Sequence, residues 1–141
     1  RDVASIVRSD ALMRRVSVSL DLDSQLPSVK GDRVQLQQVI LNLIVNAFDA
    51  MDSSEQPGTL RIRTLATDVE VRLSVVDSGP GIPADKLDAI FEPFFTTKKD
   101  GLGIGLALSR TIITAHNGHC WAENNPEGGA ALHIELPAIK P

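Results

Sequence analysis

Three polar side chains interrupt an otherwise apolar helical run near the middle of the sequence. Asn42, Asn46 and Asp49 stand at i, i+4 and i+7, a spacing that places them on one face of a helix. Gln35 and Gln38 continue the same stripe toward the N-terminus. Burying amides and a carboxylate without partners costs about 1–3 kcal/mol each, so the stripe faces either a polar ligand or water. If the stripe faces a ligand, its carboxamide oxygens are hard ligands suited to Mg²⁺ beside phosphates. The plainer alternative is an ordinary amphipathic helix with its polar face in solvent.

A first glycine cluster follows an apolar strand, in Val75-Val-Asp-Ser-Gly-Pro-Gly-Ile82. Gly79 and Gly81 permit positive φ and a close approach of the backbone to a flat ligand. Asp77, at the end of the strand, can accept a hydrogen bond from an exocyclic amino group such as that of adenine. The segment is compatible with an adenine site, although the same residue types also form ordinary turns.

A second glycine cluster, Gly101-Leu-Gly-Ile-Gly-Leu-Ala-Leu108, opens a predicted helix. Backbone N–H groups at a helix start, together with the positive end of the helix dipole, make a site for anions. Lys98 and Lys99 lie just before it and can screen phosphates. The spacing matches neither the dinucleotide-binding fingerprint nor the P-loop, so by itself it indicates only an anion site.

The elements that must position these residues follow from periodicity and turn signals. Asp32 is the predicted N-cap of the strongest helix. Helices are predicted over 1–14, 33–51, 84–90 and 106–115, and strands over 16–22, 59–67, 69–76, 118–124 and 130–136. Because helices and strands mix without regular alternation, the sequence predicts an α/β fold with a mixed sheet covered on one face by helices.

The composition narrows the class of protein. The 141 residues are 43% hydrophobic, which suits one globular core and excludes disorder, and no run approaches the ~18 apolar residues of a membrane span. A net charge of −4, 4% aromatic residues and no Tyr argue against nucleic-acid binding. The lone Cys120 cannot form an intrachain disulfide, and the Arg start without a signal pattern indicates a fragment of a longer chain.

Taken together and in order, four motifs resemble one ATP-binding family. They are Asn42-x-x-x-Asn46-Ala-x-Asp49, Asp77-x-Gly-x-Gly81, Phe91-Glu-Pro-Phe94-Phe95 and Gly101-x-Gly-x-Gly105. The family is that of gyrase, heat-shock chaperones, histidine kinases and MutL, and the resemblance spans about residues 16–137. It is closest to the catalytic domain of two-component sensor histidine kinases, in the nitrogen-regulation and oxygen-sensor branch. The resemblance implies a Bergerat-type two-layer α/β sandwich with a mostly antiparallel sheet, and ATP between helices and a lid.

The resemblance also implies roles for particular residues. Asn46 is expected to hold Mg²⁺, Asp77 to bind the adenine amino group, and the residues between Phe94 and Gly103 to form the lid. Three residues are expected to be catalytic: Asn42, Asn46 and Lys98. The residues expected to bind ATP are Asn42, Asn46, Asp49, Asp77, Gly79, Gly81, Ile82, Phe94, Thr97, Lys98, Gly101, Leu102, Gly103, Ile104, Gly105 and Leu106.

One position separates the branches of the family. Gyrase-like and chaperone-like ATPases carry a Glu where Asn42 stands, and that Glu activates the attacking water. An amide cannot take the proton at neutral pH, so Asn42 favours phosphoryl transfer to a protein. Ala130 and Ala131 replace hydroxyl side chains common in the family, so affinity is expected to depend more on Asp77. A gyrase- or MutL-like ATPase, a regulatory nucleotide-binding module and an anti-sigma serine kinase remain alternatives.

No histidine matches the phosphoacceptor motif of the resembled kinases, and His116, His119 and His133 are expected to be structural. The acceptor is therefore expected on a dimerisation domain, with residues 1–14 as a remnant of the connection to it and residues 15–141 as the ATP-binding domain. A response regulator is the expected second partner. We expect a cytoplasmic, monomeric domain that contacts neither nucleic acid nor membrane.

Overall fold

Within the described residues, five strands form a single sheet and two α-helices cover it. The computed structural model describes residues 16–22, 29, 31–52, 58–67, 69–87, 89–91, 105–126 and 128–138. The predicted helix over 1–14 lies outside these residues. In chain order the elements are β1 (Val16–Asp21), α1 (Arg33–Asp52), β2 (Gly58–Ala66), β3 (Glu70–Asp77), two 3₁₀ turns (Ala84–Lys86 and Ala89–Phe91), α2 (Gly105–Ala115), β4 (His119–Asn124) and β5 (Ala130–Pro137).

The sheet is mixed and mostly antiparallel, with strand order β1-β2-β3-β5-β4. β1 pairs with β2 in parallel, because α1 carries the chain back across the sheet between them. The other neighbours are antiparallel. Side chains of β2 alternate between buried and exposed, so Leu60 and Ile62 face the helices while Arg61 and Arg63 face solvent. The predicted two-layer α/β sandwich is confirmed.

The core lies between the inner face of the sheet and one side of each helix. Its fully buried side chains are Val39, Leu43, Ile44, Phe48, Leu60, Val75, Ile113 and Leu132. Burying a side chain of this size contributes about 1.5–3 kcal/mol. Since the apolar side of α1 is fixed against the sheet, its amides Asn42 and Asn46 are held at the half-buried flank of the helix.

The start of α1 is tied to the end of α2. Asp32 caps α1, as predicted, since its Oδ1 accepts the N–H of Gln35 at 3.0 Å. The N–H of Asp32 in turn donates to Nε2 of His116 at 3.1 Å. The other ring nitrogen of His116 lies 2.7 Å from the carbonyl oxygen of Ile112, which fixes the proton on Nδ1. His116 therefore joins the two helices through both of its ring nitrogens.

α2 ends in a Schellman turn that packs tightly on the sheet. Asn117 adopts a left-handed conformation with φ 64°. The N–H of Gly118 donates to the carbonyl of Ile113 at 2.9 Å, and that of Asn117 to Thr114 at 3.0 Å. A Cβ at Gly118 would lie 2.2 Å from the carbonyl oxygen of Glu135. Only glycine allows the end of α2 to approach β5 this closely.

The helix predicted over 84–90 is wrong in type. Two 3₁₀ turns occupy the segment, Ala84–Lys86 and Ala89–Phe91. A helix of this length is marginal by its own propensity, so the burial of Ile90 and Phe91 decides the local geometry. Phe91 also lies 5.4 Å from the guanidinium carbon of Arg110, which attaches the second turn to α2.

The outer face of the sheet carries a polar and aromatic cluster. The rings of Trp121 and His133 stack with centroids 5.1 Å apart, and Oγ of Ser74 lies 2.6 Å from Nδ1 of His133. Arg72 covers Trp121 and pairs with Glu135 at 2.9 Å. Burial lowers the pKa of His133 below its ordinary value.

Neither described helix contains an apolar stretch long enough to cross a bilayer.

Candidate nucleotide site

Asp77 is a buried carboxylate at the end of β3, with 5% of its surface exposed. Its Oδ1 accepts the N–H of Gly79 at 2.8 Å and the N–H of Ala130 at 3.2 Å. Burial raises the pKa of the Asp77 carboxyl, and the two backbone N–H groups act in the opposite direction. Because both bonds fall on Oδ1, the second oxygen is the one available to a ligand.

The glycine loop, residues 78–83, begins with a double link to β2. The N–H of Ser78 donates to the carbonyl of Thr59 at 3.1 Å, and Oγ of Ser78 accepts the N–H of Thr59 at 2.8 Å. The same hydroxyl lies 3.5 Å from Sδ of Met51, in the last turn of α1. The C-terminal end of α1 and the Asp77 end of β3 are therefore neighbours.

The far end of the glycine loop is held by Asn124, the last residue of β4. Its Oδ1 accepts the N–H of Ile82 at 2.8 Å, and its Nδ2 donates to the carbonyl of Ile82 at 2.6 Å. Gly81 has φ +85°, and a Cβ there would lie 2.9 Å from Oδ1 of Asn124. The positive φ expected at Gly81 is confirmed, whereas Gly79 does not have a positive φ, and the close contact at Gly81 is with Asn124.

The turn between β4 and β5 closes over the carboxylate strand. The N–H of Asn125 donates to the carbonyl of Gly129, and the N–H of Gly128 to that of Asn125, both at 2.9 Å. Gly129 has φ +85°, and a Cβ there would lie 1.9 Å from the carbonyl oxygen of Asp77. This contact brings the N–H of Ala130 within reach of the carboxylate.

One amide of α1, that of Asn42, faces α2. Nδ2 of Asn42 lies 3.4 Å from Oγ of Ser109, a side chain with 0% exposure, and Oδ1 of Asn42 accepts from Nε2 of Gln38 at 2.8 Å. Asn46, one turn later, is half-buried. Asp49 lies within the helix, but its side chain is outside the described part of the structure. Of the predicted stripe, Asn42 is thus located at the junction of the two helices, with Gln38 bonded to it.

The second glycine cluster is only partly within the described residues. α2 begins at Gly105, which places free N–H groups and the positive end of the helix dipole there. Leu106 is half-buried and packs against the core. The other predicted ligands from this region lie outside the described residues: Phe94, Thr97, Lys98, Gly101, Leu102, Gly103 and Ile104.

An amide oxygen of α1 is a suitable ligand for a cation at this site. Among the residues that the structure describes, no three His, Cys, Asp or Glu side chains are grouped so as to hold a metal ion. Mg²⁺ keeps several waters and takes few protein ligands when phosphates supply the rest, so a single amide oxygen fits its coordination. Half-buried Asn46, on the flank of α1 that carries Asn42, satisfies this requirement.

Three residues that shape the site were not predicted. Asn124 resembles an ordinary strand end in the sequence, and its contact with Ile82 joins residues 42 positions apart. Gly129 reads as a turn glycine, although its tight contact is with Asp77. Ser109 lies in an apolar helix, four residues after Gly105. A hydroxyl among apolar residues was the signal in the sequence that could have predicted its contact with Asn42.

A family model described as histidine kinase-, DNA gyrase B- and HSP90-like ATPase matches residues 31–140. The sensor histidine kinase TmoS of Ectopseudomonas mendocina is 37% identical over 139 residues, covering 96% of this chain and 14% of TmoS. The sensor protein FixL of Bradyrhizobium diazoefficiens is 42% identical over 125 residues, covering 89% of this chain and 25% of FixL. The chain therefore spans a minor part of these relatives.

Solved structures of similar proteins align with nearly all of the chain. The catalytic domain of the histidine kinase ThkA superposes with a TM-score of 0.86 at 33% identity, covering 100% of this chain and 92% of that domain. ThkA in complex with the response regulator protein TrrA gives a TM-score of 0.82 at 31% identity, covering 99% of this chain and 39% of ThkA.

Proposed function

The chain belongs to the histidine kinase-, DNA gyrase B- and HSP90-like ATPase family, as a histidine kinase catalytic ATP-binding domain, and on this premise we propose how its residues handle Mg²⁺-ATP and a protein acceptor. The γ-phosphoryl group passes to a histidine on a dimerisation domain, and from there to a response regulator. The observation that carries the proposal is Asp77, a buried carboxylate with one oxygen committed to the backbone and one left for a ligand.

Asp77 selects adenine. Its free oxygen accepts the exocyclic amino group, which is a donor in adenine, whereas guanine presents an acceptor at the same ring position. The glycine loop supplies a backbone wall without side chains, so a flat base can lie against it. Ala130 contributes through its N–H, which orients the carboxylate, so its lack of a hydroxyl does not remove it from the site.

We assign the phosphates and Mg²⁺ to the junction of α1 and α2. Mg²⁺ neutralises charge on the phosphate oxygens when it is bound, and Asn46 would hold it. Asn42 contacts α2 one turn after its start, and we assign Asp49, Gly105 and Leu106 to the same phosphate region. Lys98 and the remaining predicted ligands, from Phe94 to Ile104, would complete the phosphate side as a lid.

Asn42 decides between transfer and hydrolysis. Its amide is engaged at both ends, accepting from Gln38 and donating toward Ser109, and it has no proton-accepting function at neutral pH. Water bound at this point therefore stays unactivated. Phosphoryl transfer depends chiefly on positioning and charge neutralisation, which this inventory supplies to an incoming protein nucleophile.

The partners follow from the same assignment. ThkA, with which this chain shares 31% identity, forms a complex with a response regulator protein. We assign the same class of partner to the parent of this chain, along with a dimerisation domain that bears the acceptor histidine. Residues 1–14 would connect to that domain and residues 15–141 form the ATP-binding unit, which would act in the cytoplasm as a monomer without contacting nucleic acid or membrane.

The test is a transfer assay with a separate dimerisation domain from a related sensor histidine kinase. The chain is incubated with Mg²⁺ and ATP labelled in the γ-phosphate, with and without the dimerisation domain. We expect acid-labile label on that domain's histidine and little phosphate release by the chain alone. Binding of ATP without transfer would point to a regulatory module, and rapid hydrolysis by the chain alone to a gyrase- or MutL-like ATPase.

A further inference from the structure

We propose that Asn124 is a positioning residue for nucleotide binding, which holds the glycine loop in the shape that receives adenine. It acts through the backbone of Ile82 and touches no reacting atom. The inference rests on the proposed function, and it assigns to β4 a part in the site that the motifs of the sequence do not contain.

The geometry is a two-point clamp. Oδ1 of Asn124 accepts the N–H of Ile82 at 2.8 Å, while Nδ2 donates to the carbonyl of the same residue at 2.6 Å. A planar amide facing both backbone groups of one residue reproduces the pairing of a neighbouring strand. The clamp fixes the position of Ile82 and the orientation of its peptide groups.

Gly81 shows that the loop and the clamp are shaped to each other. Its φ of +85° turns the backbone toward Asn124, and the place of its missing Cβ is 2.9 Å from Oδ1 of Asn124 and 3.5 Å from the carbonyl oxygen of Gly129. The loop can lie this close to β4 only because residue 81 has no side chain. Asn124 therefore contacts the turn of the loop as well as its far end.

The loop is thus restrained at both ends by different strands. Asp77 holds the near end through Gly79, and the same carboxylate oxygen accepts from Ala130 on β5. Asn124 on β4 holds the far end. Residues 79–82 between these points form the wall against which the base is proposed to lie, so a loosened far end must be ordered again when the nucleotide binds.

This placement predicts which part of the nucleotide depends on Asn124. The glycine loop is continuous with Asp77, the proposed adenine contact, whereas the phosphates are assigned to Asn42, Asn46 and the start of α2. Removing the clamp should weaken the contribution of the nucleoside and leave that of the γ-phosphate unchanged. It should also reduce the preference for adenine over guanine.

The experiment is calorimetric titration of the chain with Mg²⁺ and three ligands: AMPPNP, ADP and GMPPNP. Asn124→Ala removes both hydrogen bonds, and we expect the Kd for AMPPNP and that for ADP to rise together by about 5- to 30-fold, as fits two solvent-exposed, uncharged bonds. The ratio of these two constants should stay at its wild-type value. The AMPPNP-over-GMPPNP preference should fall.

Two further variants separate positioning from packing and from general stability. Asn124→Asp keeps the size and one acceptor but turns a second oxygen toward the Ile82 carbonyl, so we expect at least the loss seen with Ala. Asn117→Ala is the matched control, because alanine is strained at φ 64° in the turn after α2 and lowers the melting temperature without touching the loop. We expect it to bind all three ligands as the wild type does.

The outcomes are distinct. Wild-type Kd values for Asn124→Ala would overturn the inference. Wild-type values for Asn124→Asp would overturn the two-point clamp, because the bond from Nδ2 to the Ile82 carbonyl would then contribute nothing. Equal losses in Asn117→Ala would reduce the effect to stability and overturn the inference as well. A wild-type chain that binds no AMPPNP would instead refute the proposed function.

Discussion

Replacing Asp77 by Asn separates the two demands that the carboxylate meets, orienting the loop and receiving adenine. The Asn Oδ1 can still accept the N–H groups of Gly79 and Ala130, which are now 2.8 and 3.2 Å from the carboxylate. The second oxygen becomes an NH₂ group, which faces the adenine amino group donor to donor. The fold is therefore expected to survive while nucleotide binding is lost.

The magnitude of the binding loss follows from the bond that disappears. A hydrogen bond to a charged group contributes about 1.5–3 kcal/mol, which corresponds to an increase in Kd of about 10- to 150-fold. The donor–donor contact adds to this loss. We therefore expect the Kd of Asp77→Asn for AMPPNP to rise at least about tenfold. Calorimetry with AMPPNP and Mg²⁺ measures it.

Although Asp77→Asn should weaken nucleotide binding, it should not lower the stability of the fold. Burial raises the pKa of Asp77 in the folded chain, so the ionised carboxylate opposes folding at neutral pH. The stability that the protonated form contributes is complete below the unfolded pKa of about 3.9, and it is lost as pH rises through the raised folded value. Asp77→Asn should therefore melt at or above the wild-type temperature at pH 7, with the difference shrinking as pH falls toward about 4.

A matched control variant and two refuting outcomes test these expectations for Asp77→Asn. Asp21→Asn changes an exposed carboxylate that pairs with Arg63 at 3.4 Å, and it should leave nucleotide binding nearly unchanged. If Asp77→Asn binds AMPPNP within threefold of the wild type, the adenine contact is assigned to the wrong residue. If it melts well below the wild type at pH 7, the carboxylate stabilises the fold and the sign of the argument is wrong.

Two other predictions test the surroundings of the site. Gly128→Ala should cost about 1–2 kcal/mol of backbone strain, because φ is +107° and the space is open. Gly129→Ala should cost more and abolish nucleotide binding, because its Cβ would lie 1.9 Å from the Asp77 carbonyl oxygen. Equal melting temperatures for the two variants would contradict this prediction. Burial lowers the pKa of His133 in the folded chain, so wild-type stability should fall as pH drops below about 6.5 through the folded value. Thermal melts of His133→Gln between pH 7 and 5.5 should show a shallower fall, and parallel curves would contradict the assignment.

The sequence predicts the local structure well because its signals are local. The helix from Arg33 is marked by its cap at Asp32 and by apolar side chains at helical spacing, and the strands by alternation along β2. Asp77 was predicted as a ligand because a carboxylate at a strand end, followed by glycines, is a local pattern. These features need no knowledge of the neighbouring elements.

What was missed depends on contacts between distant residues. The parallel pairing of β1 with β2, and the insertion of β5 between β3 and β4, are decided by packing across the sheet. Asn124 reaches Ile82 only because β4 ends beside the glycine loop. The short segment at 84–90 follows the burial of Ile90 and Phe91 rather than its own propensity, so a local pattern predicted the wrong helix type.

The anchoring of α2 has a mechanical consequence. Its C-terminal end is fixed at two points: the His116 ring accepts the N–H of Asp32, and Gly118 lies directly against β5. A helix of 11 residues is about 16 Å long, so a tilt of about 10° around that end displaces Gly105 by about 3 Å. A ligand bound at Gly105 would therefore act at the end of α2 that lies farthest from these two anchors.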